Sequence, residues 1–266
     1  MPARLILAVA LAFALASACS SCALSRTRSA SDSEKASVAS ALIPAAPIGE
    51  FRADWRTFLR ERNVIVIAGA EIEDLEVSSD GVSGSFGFTY RPGSYAGAME
   101  RGNAAACIRP GYFLTCAHVV VQRPISIIVN NGDSWSHALG EVVWWDRDAD
   151  LALIRAPISA PAIFDLAAAP PEPGSVVVAG SSQGPSAGHV IGLSGGTALA
   201  PPDRLTCDLP TKPGDSGGAL VDVTGRLVGV VTRVTGPGAG VHDSAILVPD
   251  RLERIVADAV RAAESP

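Results

Sequence analysis

Short apolar, β-branched runs recur along most of the chain, at 64–68, 113–116, 125–129, 151–154, 176–179, 227–232 and 245–248. Turn-forming residues separate them: Arg109-Pro110-Gly111, Asn130-Asn131-Gly132-Asp133, Pro171-Glu172-Pro173-Gly174 and Thr224-Gly225. Short strands with regular turn signals predict an all-β domain, a sandwich or barrels. The proline-rich stretch 156–173 is a natural seam between two β halves. Two helical pieces break the pattern. One is short and lies near 51–62. The other closes the chain: Leu252, Ile255, Val256, Ala259 and Val260 share one face at helical spacing. Asp250 is the expected cap of that helix, with Glu253 as its capping-box partner.

The first fifty residues read differently. Residues 1–18 carry one early positive charge, then an Ala/Leu-rich apolar stretch, then small residues, in the manner of a secretory signal. Cys19 follows directly. The segment resembles a bacterial lipobox, except that Ala16 stands where Leu is usual and Leu15 lies one residue too early. Three outcomes stay open: lipidation of Cys19, plain secretion, and an uncleaved anchor. All three put the domain outside the cytoplasm. Residues 19–50 are rich in Ser, Ala and charge and form the expected flexible tether. Residues 51–266 are the expected functional domain, with a first β half at about 64–156, a second at about 174–248 and the helix at about 250–263. The chain ends soon after that helix, so no further module is expected.

Composition narrows the function. The chain has 266 residues, 48% hydrophobic and 18% charged, enough for a real core. Lys plus Arg number 21 against 27 Asp plus Glu, a net charge of −6, which argues against a nucleic-acid binder. No second long apolar segment suggests a polytopic membrane protein. Only Cys107, Cys116 and Cys207 lie in the body, so at most one internal disulfide is expected among them.

Three motifs carry chemistry. Thr115-Cys116-Ala117-His118-Val119-Val120 follows one strand. Asp148-Ala149-Asp150-Leu151-Ala152-Leu153-Ile154 opens another. Gly214-Asp215-Ser216-Gly217-Gly218 follows a turn at Pro213. Each alone has a structural reading: a core histidine, a common strand opening, an ordinary loop. Asp146 and Asp148 also compete with Asp150. Together, in the order His, Asp, Ser, they fit nucleophilic catalysis. A serine hydroxyl needs a base to take its proton, and the base needs a carboxylate to fix its tautomer. A tetrahedral oxyanion needs converging N–H groups. The expected donors are those of Gly214 and Ser216, with Gly217 and Gly218 leaving room behind the turn. Cys116 and His118 also suggest a metal pair, but no second ligand cluster accompanies them. No metal and no cofactor are expected.

These residues resemble the trypsin/chymotrypsin-type serine proteases, in particular the bacterial envelope branch close to the high-temperature-requirement proteases. The likeness runs from about 104 to 248, through GYFLTCAHVV, DRDADLALIRA, PGSVVVAGSSQG, GHVIGLSGG, KPGDSGGALVDVTGRLVGVVT and AILVPDRLERIV. It implies two six-stranded antiparallel β-barrels with a cleft between them. It implies a triad of His118, Asp150 and Ser216, an acyl-enzyme route and a protein or peptide substrate. It further implies that Thr232, Arg233 and Val234 form the strand edge that pairs with substrate, with Ser244 or Ala245 at the pocket floor.

The departures from that branch are specific. Val119 stands where digestive members carry a bridged Cys. No R-I-V-G-G motif precedes the first barrel, so activation by a new N-terminus is not expected and Asp215 needs another partner. The chain stops too early for a PDZ domain, and a monomer is the expectation. RGNAAACIR lacks the usual Gly-Ser/Thr-Gly. No acid can be assigned to the primary pocket, so a small or medium apolar residue is the expected preference, unless His242 enters it and favours Glu. His137 and His189 read as structural. The expectation is a secreted or envelope-anchored serine endopeptidase. The alternatives are a catalytically silent protease-like scaffold and an acyl transferase acting on simple esters.

Overall fold

The computed structural model describes residues 55–79, 84–132, 134–181, 184–195, 203–235 and 242–265. The side chains of 77–79, 84–86, 181, 184, 233–235 and 242–244 fall outside that description. The leader 1–18, the tether 19–50 and Cys19 lie outside the described residues altogether.

The chain opens with helix α1 (Trp55–Arg60) and strand β1 (Asn63–Ala68). A hairpin of β2 (Ile72–Ser79) and β3 (Gly84–Tyr90) follows. Then come β4 (Glu100–Ala106), β5 (Tyr112–Cys116), β6 (Ile125–Asn130), β7 (Trp135–Asp146) and β8 (Leu151–Arg155). These close into an antiparallel barrel in the order β1-β4-β5-β8-β7-β6, with the hairpin apart as a two-stranded sheet. After a strand-free stretch come β9 (Val176–Ser181), β10 (Gly184–Ser194), β11 (Arg204–Cys207), β12 (Ala219–Asp222), β13 (Leu227–Thr235) and β14 (His242–Leu247). They close a second barrel, β10-β11-β14-β13-β12-β9. Helix α2 (Leu252–Glu264) ends the described chain. The all-β class, the two six-stranded barrels and the closing helix are as expected.

Side-chain alternation explains why β1 is apolar throughout. Val64, Val66 and Ala68 enter the main core, while Ile65 and Ile67 pack outward with Ile72, Ile128, Leu75 and Phe88 under the β2–β3 hairpin. A strand buried on both faces needs no polar side. On α2, Leu252 and Val256 are buried against the main core, with Ile255, Ala259 and Val260 partly covered. Each of those two buried side chains contributes about 1.5–3 kcal/mol relative to exposure.

The capping expectation fails. Arg251, not Asp250, occupies the cap position, and no side-chain cap bond forms. The Leu252 N–H donates to the Pro249 carbonyl at 2.9 Å, so the turn itself satisfies the first helical donor. All three body cysteines are buried free thiols.

The seam holds the barrels together. Phe164 N–H donates to the Ala106 carbonyl in the first barrel at 2.8 Å, and Leu227 N–H in the second donates to the Asp165 carbonyl at 2.7 Å. Asn63 adds a cross-barrel bond, its Oδ1 accepting from Ala219 N–H at 3.0 Å. Such bonds tie the two barrels to each other and to the stretch between them.

Candidate active site

Loops between barrel strands carry the three motifs. His118 sits in a single 3-10 turn, Ala117–Val120, between β5 and β6. Asp150 immediately precedes β8, and Ser216 lies between β11 and β12. Asp150 has a left-handed backbone (φ 59), which aspartate tolerates better than most residues. Its main-chain carbonyl accepts from Ala117 N–H at 3.0 Å, joining the two first-barrel loops.

The Asp150 carboxylate gathers three donors. Its Oδ1 accepts from the His118 main-chain N–H at 2.9 Å. His118 Nδ1 lies 2.8 Å from Oδ2 and 3.1 Å from Oδ1. An ionised carboxylate only accepts, so Nδ1 carries the proton and Nε2 of the neutral ring is left as the basic nitrogen. The Thr232 hydroxyl donates to Oδ2 at 2.7 Å from β13. Burial pushes the carboxyl's pKa up, but the bonds from the His118 ring, Thr232 and the His118 N–H outweigh it, and the group is held below its ordinary value. The competing acids are engaged elsewhere or lack this contact. Asp146 accepts from Ala149 N–H at 3.0 Å and pairs with Arg251 at 3.2 Å. Among the described residues, Asp148 makes no bond to His118.

Ser216 reaches the same cluster through Thr232. Its hydroxyl donates to the Thr232 carbonyl at 3.4 Å, a long and weak bond. Among the described residues no hydrogen bond joins His118 to Ser216. The hydroxyl of Ser216 is turned toward the β13 backbone instead.

The turn before Ser216 has a defined geometry. Asp215 N–H donates to the Lys212 carbonyl at 3.0 Å, and Gly214 has φ +95. Pro213 and a left-handed glycine at the two central positions make this a type II turn. Neither the Gly214 nor the Ser216 N–H finds an acceptor among the described residues. Asp215 is buried, and its Oδ2 accepts from Lys212 N–H at 2.8 Å. Behind the turn, Gly217 (φ +80) donates its N–H to the Val231 carbonyl at 2.7 Å. A Cβ on Gly217 would overlap the Asn103 carbonyl oxygen and the Thr115 hydroxyl, and one on Gly218 the Gly180 carbonyl oxygen.

Thr232, Arg233 and Val234 lie on β13, with Arg233 opposite Ser244 and Val234 opposite Asp243 on β14. The side chains of Arg233 and Val234, like those of Ser244 and His242, are outside the described residues. Ala245 is buried opposite Val231.

Cys116, His118 and Asp150 offer ligand atoms within 4.8 Å of one another. The thiol is a poor ligand as it stands. It donates to the Val231 carbonyl at 3.2 Å, and burial, with Asp150 adding to it, pushes its pKa up to about 12.

Two contributors have no motif to announce them. The Thr232 hydroxyl bonds the carboxylate, where the resemblance marks only that strand edge. Asn103, on β4, reaches across to the turn before Ser216: its Nδ2 donates to the Gly214 carbonyl at 2.7 Å. The available signal was a single amide inside a run of small residues, Gly102-Asn103-Ala104-Ala105-Ala106.

Residues 103–230 match the model of the trypsin-like peptidase domain. The chain is 30% identical over 159 residues to the periplasmic pH-dependent serine endoprotease DegQ of Escherichia coli K12, covering 55% of this chain and 34% of that protein. It is 33% identical over 150 residues to the serine protease Rv3671c of Mycobacterium tuberculosis H37Rv, covering 52% of this chain and 36% of that protein. The match thus spans about a third of the length of these relatives. The crystal structure of the Rv3671c protease in its active form superposes with a TM-score of 0.53 at 18% identity, over 84% of this chain and 96% of that one. At that identity the superposition speaks for the paired-barrel fold. Residues 103–230 are thus similar to a trypsin-like peptidase domain, in a chain whose two barrels form a chymotrypsin-like fold.

Proposed function

We propose that this chain is a serine-type endopeptidase acting on protein substrates outside the cytoplasm. The observation that carries the reading is the carboxylate of Asp150, held by the ring and main chain of His118 and by Thr232. That arrangement suits a base that must present a fixed tautomer. Ser216 is the nucleophile. His118 Nε2 takes its proton as the hydroxyl attacks the scissile carbonyl, and returns it to the leaving amine. Asp150 stabilises the imidazolium formed in between. The Gly214 and Ser216 N–H groups, without an acceptor among the described residues, receive the oxyanion, and losing one such donor typically costs about 3–4 kcal/mol. Water then hydrolyses the acyl-enzyme. In this reading the Ser216 hydroxyl gives up its weak bond to the Thr232 carbonyl for one to His118 Nε2 when substrate binds. Catalytic hydrogen bonds often tighten only with substrate bound.

The extracytoplasmic location rests on the apolar leader at 1–18 and on the printed location of DegQ. Residues 19–50 serve as tether and 51–266 as the catalytic unit. No helix among the described residues is long and apolar enough to cross a membrane. Fractionation of a Cys19→Ser variant separates lipid anchoring, which predicts release from membranes, from plain secretion. The backbone edge at Thr232, Arg233 and Val234 pairs with substrate, and a small or medium apolar side chain fits the pocket.

One observation favours a catalytically silent scaffold, namely the Ser216 hydroxyl resting on Thr232 rather than on His118. Hydrolysis of a peptide library, compared with that of simple esters, decides among the readings. Cleavage by the wild type, lost in Ser216→Ala with an unchanged Tm, supports the endopeptidase. No cleavage by folded wild type supports the scaffold, and ester hydrolysis alone supports the acyl transferase.

A further inference from the structure

Asn103 is 1% exposed on β4, flanked by Gly102 and the run Ala104-Ala105-Ala106. A buried carboxamide is costly unless its donors and acceptors are used. Here a carboxamide donor and the main-chain N–H are both spent on the turn that carries Ser216. The Asn103 main-chain N–H donates to the Ser216 carbonyl at 2.8 Å. Its main-chain oxygen accepts from the Thr115 hydroxyl at 2.6 Å, which steadies β4 against β5. Its Nδ2 donates to the Gly214 carbonyl at 2.7 Å.

That last bond acts on a peptide already held at its other end. The Gly214–Asp215 unit has its N–H bonded to the Lys212 carbonyl at 3.0 Å. A peptide is planar, so anchoring its C=O and its N–H fixes its plane. Glycine is the residue least able to hold a conformation by itself. Pinning the plane after Gly214 therefore restrains the type II turn and the direction of the Gly214 N–H. Arg101 lies two residues earlier, on the same face of β4. Burial weakens its hold on its proton, and the Asp215 carboxylate of the same turn partly offsets that.

We propose that Asn103 is a positioning residue for the oxyanion-binding turn, its carboxamide locking Gly214 from the first barrel so that the Gly214 N–H stays open to substrate. The role rests on the endopeptidase reading above. It supplies within the chain a restraint on the turn that does not depend on a newly cut N-terminus.

The test compares wild type with Asn103→Ala and Asn103→Asp on one peptide substrate, with a peptide boronate as a probe of oxyanion binding. Asn103→Ala lowers kcat about 100-fold, leaves KM within about threefold, and weakens the boronate by a factor similar to that in kcat. Asn103→Asp is isosteric and carries the test even if the alanine variant does not fold. Its ionised carboxylate repels the Gly214 carbonyl, whereas its protonated form again offers a donor. Its kcat relative to wild type therefore rises as pH falls. The inference is overturned if kcat in Asn103→Ala stays within about threefold of wild type, if the loss falls on KM, or if the Asn103→Asp ratio is flat with pH. Wild type that is folded yet inert to a fluorophosphonate overturns the endopeptidase reading and this inference with it. Reactive wild type with unimpaired Asn103 variants overturns this inference alone.

Discussion

Replacing Thr232 with valine removes one hydroxyl and preserves the side chain's shape. Thr232 is 7% exposed, and its hydroxyl donates to Asp150 Oδ2 at 2.7 Å. A hydrogen bond to a charged acceptor contributes about 1.5–3 kcal/mol net. If all of it serves to orient the carboxylate behind His118, kcat/KM falls about 10- to 150-fold. The carboxylate keeps its two bonds from His118, so the loss stays well below that expected for removing Asp150 itself. The assay is kcat/KM on one peptide substrate at neutral pH, with the Tm of each variant recorded. Thr232→Ser is the control: it retains the donor and stays within about threefold of wild type. The reasoning is refuted if Thr232→Val matches Thr232→Ser, because the hydroxyl then does nothing for the base.

Other substitutions probe other parts of the account. Gly217→Ala combines a left-handed backbone with overlap onto the Asn103 carbonyl and the Thr115 hydroxyl, so it destabilises by about 2–5 kcal/mol. Calorimetry then shows a Tm at least about 4 °C lower, and an unchanged Tm contradicts the packing described. The Asp150 carboxyl sits below its ordinary value of 3.8 in the folded chain, so the unfolded chain takes up this proton first on acidification. Its stabilising contribution is complete above about pH 4 and is lost as pH falls through the lower folded value. Asp150→Asn therefore flattens the acid limb of stability against pH and lowers kcat about 10⁴-fold; an acid limb identical to wild type contradicts the carboxylate's bonding. Burial pushes the thiols of Cys107 and Cys116 up to about 12, so alkylation mapped by mass spectrometry finds neither modified in native protein at pH 8. Modification of Cys116 without unfolding contradicts its burial.

The motif-bearing loops were legible because their chemistry demands particular residues at fixed spacing. The proposed chemistry calls for His118, Asp150 and Ser216 in that order, and Gly214 and Gly217 mark left-handed backbone. The strands first recognised, such as β1 and β8, owe their visibility to burial of β-branched side chains. Strand β4 was hidden because its inward residues are Ala and Gly, chosen for close approach to the nucleophile turn rather than for apolar bulk. The β2–β3 hairpin was hidden for the opposite reason: the exposed Glu73, Asp74 and Glu76 break the apolar run. The cap of α2 went wrong because Pro249 satisfies the first helical donor through its own carbonyl, a partner that side-chain patterning does not register. Asn103 and the Thr232 hydroxyl were invisible for a further reason. Each acts across the interface between barrels, on a residue more than eighty positions away.

Labelling of folded, mature protein with a fluorophosphonate, followed by mass mapping, tests the catalytic reading most directly. The account predicts one phosphonylated residue per chain, Ser216, with labelling abolished in Ser216→Ala and slowed strongly in His118→Ala. Folded protein in which Ser216 stays unmodified, or in which His118→Ala labels at the wild-type rate, contradicts it.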